Sequence, residues 1–231
     1  MEFQVCIDPG HGPGSVNKSP DGRYEEQEFA MDVSQRVAAV LRGHGVDALL
    51  TRSKDEFPSL GERCRIANAH PEIRLFVSIH SNAMGGGGWQ TPSGHMAFTS
   101  APGENEDRNR AARAILNSLE QAGIPLRKSC LQNQKFTVLT DTSAPAVLLE
   151  HGFHTNLQEV EMLLDPAFRQ KLAQADAQGI LDFLGINASQ PNQDRDRVKA
   201  RFGLEEQTID YLEDYKYGKE LLSKLAEGGK T

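Results

Sequence analysis

The chain has 231 residues, with 25 Lys+Arg against 32 Asp+Glu for a formal charge of −7, and it is 38% hydrophobic and 25% charged. This is the composition of a soluble globular protein long enough for one full domain and a small appendage, and it excludes intrinsic disorder. The acidic balance excludes a global attraction to nucleic acid or anionic lipid, and the apolar runs fall far short of the ~18–20 residues that span a bilayer, so neither partner is expected.

In chain order, residues 1–7 enter an apolar stretch at once, without the basic segment, apolar core and cleavage site of a signal peptide, so synthesis in the cytoplasm without a leader is expected. Residues 3–7 read as a strand. Phe29, Val33, Val37, Val40 and Leu41 recur at helical spacing up to the His44-Gly45 stop. A strand over 46–51, a helix over 60–69, and strands over 75–79 and 95–99 follow. The stretch 105–122, with Ile115 and Leu119 on one face and Gly123 beyond its end, predicts another helix. Strands over 136–139 and 146–149 precede a last long helix over 166–184, with proline in its first turn and Gly185 closing it. Three scattered cysteines, Cys6, Cys64 and Cys130, form no CxxC pair and read as reduced thiols.

Alternation of strands and helices predicts an α/β fold: a single twisted, mostly parallel sheet with helices on both faces. It occupies residues 1–186, with a polar, turn-forming linker over 187–193. Residues 194–231 read as a small all-α tail of three helices carrying Val198 and Phe202, then Ile209 and Leu212, then Leu221, Leu222 and Leu225, with Gly203 and Gly218 as breaks.

Three segments carry candidate chemistry. Asp8-Pro9-Gly10-His11-Gly12 sets a histidine in a glycine-rich loop at a strand's carboxyl end, the edge where α/β sheets bind ligands. It is no dinucleotide fingerprint, because Ser15 stands where GxGxxG needs glycine, and no Walker loop, because GK[ST] is absent. His80 sits in the same way at the end of the 75–79 strand. Two imidazoles with a carboxylate make the His₂Glu set of catalytic zinc sites, and Glu25, Glu26 and Glu28 all lie between the first loop and the first helix. The same acids also complement a helix dipole. Finally, Glu150 ends the apolar strand 146–149, a costly place for a carboxylate unless it is solvated, paired or used; it fits a general acid–base, a salt bridge or a further metal ligand.

Asp8-Pro9-Gly10-His11-Gly12, the acidic helix start at 25–28, Thr51-Arg52, Ser59 to Arg63, Ser78 to Asn82 and Leu148 to Asn156 follow one another in an order that resembles the zinc-dependent N-acetylmuramoyl-L-alanine amidases of the amidase 3 type, over residues 3 to 185. The resemblance implies a peptidoglycan hydrolase that cuts the amide between N-acetylmuramic acid and L-alanine, with one zinc per chain, His11 and His80 as ligands and Glu150 as the catalytic glutamate. The family's ligand glutamate precedes apolar helix positions at +3, +5, +7, +11 and +15. From Glu26 these are Phe29, Met31, Val33, Val37 and Leu41, whereas from Glu25 they are Glu28, Ala30, Asp32, Arg36 and Val40, so the resemblance selects Glu26.

Asn82 and Trp89, with the Gly85–Gly88 turn between them, are expected to line a substrate groove, Trp89 either stacking on sugar or anchoring the loop. Two departures from the family pattern stand out: Pro13 replaces a glycine, and His151 and His154 flank Gly152-Phe153, where surface or ligand-supporting roles are expected. The segment between His80 and Glu150 holds no long insertion, so no autoinhibitory helix is expected. Peptidoglycan is the expected partner, reached after release by a holin or by cell lysis. The tail would serve wall targeting or homo-oligomerisation. A zinc carboxypeptidase or endopeptidase on the stem peptide, a non-catalytic peptidoglycan-binding module and a purely structural α/β protein rank lower.

Overall fold

The computed structural model describes residues 3–100, 106–186, 193–213, 221, 222, 224 and 225, of which 193–196 and 213 are described by backbone alone. Six strands form one sheet: β1 (Val5–Pro9), β2 (Ala48–Leu50), β3 (Leu75–Asn82), β4 (His95–Thr99), β5 (Leu126–Asn133) and β6 (Ala146–Phe153), in the spatial order β2-β1-β3-β6-β4-β5. β2, β1, β3 and β6 run parallel to their neighbours, as β4 does to β5, and the one antiparallel seam joins β4 to β6. The sheet is therefore mixed and mostly parallel. β1 and β4 are buried along their whole lengths, as expected of strands covered on both faces, and Val5–Ile7 and Met96–Phe98 read as short apolar runs without polar alternation.

Among the described residues, six helices accompany the sheet: α1 (Glu26–Gly43), α2 (Leu60–Asn68), α3 (Asp107–Gln121), α4 (Thr137–Thr140), α5 (Leu157–Leu164) and α6 (Pro166–Leu184). α1 buries Phe29, Val33, Val37 and Leu41 along one stripe and carries Glu26 and Glu28 in its first turn, where the helix dipole favours negative charge. Ser59 and Glu62 form a reciprocal capping box at the start of α2. Asp165 caps α6 ahead of Pro166, and Gly185 ends it in the left-handed region at φ 72°.

Three predicted features are corrected. Residues 136–139 are not a strand: Thr137–Thr140 is one helical turn, because Val138 and Leu139 turn inward to join the core formed by Cys6, Cys64, Phe76 and Leu148, and the Thr137 carbonyl faces Cys64. The strand of that region is β5, whose sequence Leu-Arg-Lys-Ser-Cys-Leu-Gln-Asn has too few apolar residues to stand out, as suits a charged edge strand. α5 was not anticipated, although Asn156 caps it by accepting from the Gln158 and Glu159 amides.

A second unit beyond Ile186 contains α7 (Gln193–Phe202) and α8 (Glu206–Glu213), whose core is Val198, Ile209 and Leu222 with Leu204, Leu212 and Leu225 against it. Except for Gln193, the expected linker lies outside the described residues, and so does much of the expected third tail helix. No helix among the described residues is long and apolar enough to cross a membrane.

On the sheet face toward α6, three polar side chains are sealed in the core: His95 on β4, His151 on β6 and Asp176 on α6, each at most 1% exposed. The His95 and His151 Nδ1 atoms lie 3.3 Å apart. His151 Nε2 comes within 3.1 Å of Asp176 Oδ2, close enough for an ion pair but not aligned as a hydrogen bond. Burial, with the neighbouring His151, holds His95 well below the ordinary histidine range. Because the unfolded chain takes up a proton at ~6.5 that folded His95 refuses, its stability contribution is complete above that pH and is lost as pH falls below it, by at most ~1.4 kcal/mol per unit. Urea denaturation at a series of pH values should therefore show His95→Gln with a shallower fall than wild type between pH 6.5 and 5; parallel curves would rule His95 out as the cause.

Candidate metal centre and active site

The site is assembled at the carboxyl ends of β1, β3 and β6. β1 and β3 are adjacent, with Pro9 opposite Ile79, so the loop after β1 brings His11 beside His80. β3 and β6 are adjacent in turn, and His80 stands directly opposite Glu150, so the two side chains share a face of the pleat. The Gly10 amide donates to the Ile79 carbonyl at 3.0 Å, and a Cβ at Gly10 would lie 2.4 Å from the His80 ring, so only glycine lets the loop pass this close.

The loop is held from behind. Asp8, 1% exposed, accepts from Thr51 Oγ1 (2.5 Å) and Arg63 Nη1 (2.8 Å) on one oxygen and from Ser78 Oγ (2.6 Å) on the other. Arg63 also donates to the Pro9 and His11 carbonyls, while Arg52 donates to the Pro9, Gly10 and Gln27 carbonyls. Three successive carbonyls are thus fixed, and His11 is held at φ 58°, a left-handed conformation that non-glycine residues seldom adopt. Thr51, Arg52 and Arg63 belong to motifs visible in the sequence, but nothing in their spacing assigned them this bracing.

Glu26, the first residue of α1, is 2% exposed and faces both imidazoles. Its Oε1 lies 3.0 Å from His80 Nδ1 and accepts from the Ser81 amide at 3.0 Å, and its Oε2 lies 3.1 Å from His11 Nε2. Of the three acids considered, only Glu26 does this: Glu25 pairs with Lys18 and Glu28 is exposed. Burial opposes the Glu26 charge, but hydrogen bonds from His11 and His80 outweigh it and hold the carboxyl well below the usual range. His80 shows the reverse balance, with burial drawing it down and Glu26 carrying it above the ordinary histidine value.

The ligating atoms of His11, Glu26 and His80 all lie within 4.8 Å of one another, and two imidazole nitrogens with one carboxylate oxygen are a donor set suited to zinc. The set is chemically fit for a cation, since both imidazoles converge on the one carboxylate, which the Ser81 amide holds in place.

Glu150 contrasts with Glu26. Its Oε2 is buried without a hydrogen-bond partner among the described residues, and burial pushes the carboxyl up to about 8, with His80 lowering it and Glu26 raising it. His11, Glu26, His80 and Glu150 line one open cleft of about 700 Å³, whose lining also includes Phe57 to Leu60 and Lys135 to Val138. Asn82 lines it as well. Trp89, 38% exposed, is not among the lining residues. His151 and His154 are both buried, which overturns a surface placement; His154 lines the cleft near Glu26, and His151 points into the core toward Asp176.

A mixed α/β sheet carrying a His–Glu–His donor set and an unpaired buried glutamate at the floor of a cleft defines a hydrolytic enzyme with a candidate metal centre. The family model for N-acetylmuramoyl-L-alanine amidase matches residues 5–182, so the chain belongs to the N-acetylmuramoyl-L-alanine amidase family. The amidase AmiA of Escherichia coli is 30% identical over 223 residues, covering 78% of this chain and 75% of the relative. The endolysin of Bacillus phage SPP1 is 32% identical over 189 residues, covering 80% and 68%. Among solved structures, the catalytic domain of the amidase CwlV from Paenibacillus polymyxa superposes with a TM-score of 0.71 at 29% identity, covering 81% of this chain and all of that one.

Removing Arg63 leaves Asp8 buried and charged beneath the His11 loop. Arg63→Met should lower stability by about 3–5 kcal/mol in chemical denaturation. The double change with Asp8→Asn should recover part of that loss. A single-variant loss under about 1 kcal/mol would show that Asp8 is compensated without Arg63.

Proposed function

We propose that the chain hydrolyses the amide between the lactyl group of N-acetylmuramic acid and L-alanine in peptidoglycan, with His11, Glu26 and His80 holding a zinc ion and Glu150 moving the proton. The amide hydrolysis follows from membership of the family. The assignment of roles rests on one observation: the two carboxylates at the cleft floor have opposite surroundings, Glu26 ionised among donors and Glu150 without a partner on Oε2.

Zinc bound there supplies Lewis acidity, making water nucleophilic near neutral pH and polarising the amide carbonyl. The protein's own residues do the rest. Glu150, pushed up to about 8 by burial, is a carboxyl tuned toward neutrality, and a cation beside the adjacent His80 favours its ionised form. It accepts the proton of the attacking water as the C–O bond forms and passes it to the alanine nitrogen as the C–N bond breaks. The open cleft admits a polymer, and Asn82 at its edge is positioned to contact it. The substrate places the enzyme's action at the bacterial wall, and release on lysis fits the endolysin among its relatives.

Zinc content by elemental analysis, paired with mass spectrometry of peptides freed from purified peptidoglycan, tests the roles. Wild type should hold one zinc and free L-alanine-terminated peptides, His80→Ala should lose the metal, and Glu150→Gln should keep it while turnover falls about 10²–10⁴-fold. A Glu150→Gln enzyme working near the wild-type rate would remove Glu150 from the chemistry.

For residues 194–231 we adopt wall attachment as the role. Deleting residues 190–231 should abolish pull-down on isolated walls while leaving sedimentation unchanged; a change in sedimentation alone would assign self-association instead.

A further inference from the structure

Glu26 is aimed at the two imidazoles partly by the main-chain N–H of Ser81, which donates to its Oε1 at 3.0 Å. Ser81 is itself gripped on both sides. The Tyr24 hydroxyl, fully buried, donates to Ser81 Oγ at 2.7 Å. His154 Nδ1 lies 3.0 Å from the same Oγ and 3.1 Å from the Ser81 carbonyl oxygen. A carbonyl only accepts, so that nitrogen carries the hydrogen and the His154 N–H is shared between the two Ser81 oxygens. The Tyr24 and His154 rings stack at 5.8 Å with 22° between their planes, and the His154 amide donates to the Asn82 carbonyl at 2.8 Å, tying the end of β6 to the end of β3. His154 Nδ1 also stands 3.9 Å from Glu26 Oε2. The ring is 3% exposed, too deep for a substrate contact to be its main use, and its hydrogen bonds converge on one residue, Ser81.

We propose that His154 is a positioning residue of the metal centre: with Tyr24 it fixes Ser81, and Ser81 fixes the Glu26 carboxylate between His11 and His80. The inference rests on the zinc reading above. Partners that orient a ligand typically contribute about 10–100-fold to metal affinity, because a ligand free to rotate must be ordered by the metal itself. Loss of the His154 N–H frees one side of Ser81 while Tyr24 still holds the other, so the lower end of that range applies.

The test is zinc affinity of the full chain, measured by competition with a chromophoric chelator, for wild type, His154→Leu, His154→Asn and Tyr24→Phe, with circular dichroism of the metal-free proteins reporting the fold. His154→Leu should bind zinc about tenfold more weakly. His154→Asn, whose amide nitrogen replaces Nδ1, should recover most of that loss, and Tyr24→Phe should weaken binding through the lost hydroxyl alone. A folded His154→Leu equal to wild type overturns the positioning role, as does an Asn variant no better than Leu. If His154→Leu does not fold, Tyr24→Phe decides: weakened binding supports the role and unchanged binding overturns it. A wild type that takes up no zinc overturns this inference together with the zinc reading, whereas a zinc-binding wild type matched by the variants overturns the positioning role alone.

Discussion

The buried pair of Asp8 and Arg63 is the constraint on which the site depends. Two opposite charges, each about 2% exposed, are expensive to bury and are weak evidence for stability in themselves. What they supply is geometry. Asp8, next to last in β1, takes hydrogen bonds from Thr51 just after β2 and Ser78 within β3 as well as from Arg63, so β1, β2 and β3 are tied at one point. Arg63 and Arg52 then use their remaining donors on the carbonyls of Pro9, Gly10 and His11, which is how a non-glycine residue is kept in a left-handed conformation beneath the cleft. Planar guanidinium groups with several fixed donors suit this work in a way that a lysine ammonium would not.

The sheet separates two kinds of polar chemistry by its period of two. On β6, Glu150 points to the cleft and the next residue, His151, points to the opposite face, where it meets His95 and Asp176 in a closed core. One face is wet and shaped for a substrate, and the other is dry. The register that sets His80 against Glu150 also sets Met96 against Glu150 across the antiparallel seam, so the glutamate is flanked on both sides by strands, and a slip of one residue would exchange it with His151.

Much of this was legible in the sequence. Strands buried on both faces read as apolar runs, and a polar residue follows each run near the sheet's ligand-binding edge, His11 just beyond β1, His80 in β3 and Glu150 in β6, so these three could be singled out without a structure. The choice among Glu25, Glu26 and Glu28 was not decided by the residues themselves, since all three suit a helix start; the family's register selected Glu26, and the fold then turns that residue alone inward. The helical turn at Thr137 escaped because two β-branched residues and a leucine favour a strand locally, while burial of Val138 and Leu139 against the α2 side decides the matter in three dimensions. The bracing by Thr51, Arg52 and Arg63 was hidden for another reason. Long-range hydrogen bonds to main-chain carbonyls leave no periodic trace in a sequence.

Two carboxylates share the cleft floor, and burial raises the cost of charge on both. They nevertheless settle on opposite sides of the ordinary range. Glu26 is given three donors, the Ser81 amide and the two imidazoles, and stays ionised in spite of its burial. Glu150 is given no donor on Oε2, feels the Glu26 charge as well, and rises to about 8. Environments that drive apart the protonation of two like groups divide their labour, one remaining a fixed anion that can hold a cation and the other a group that exchanges a proton near neutral pH. The division comes from where the fold places donors: the Ser81 amide and two imidazoles on Glu26, and burial without a donor on the Glu150 Oε2.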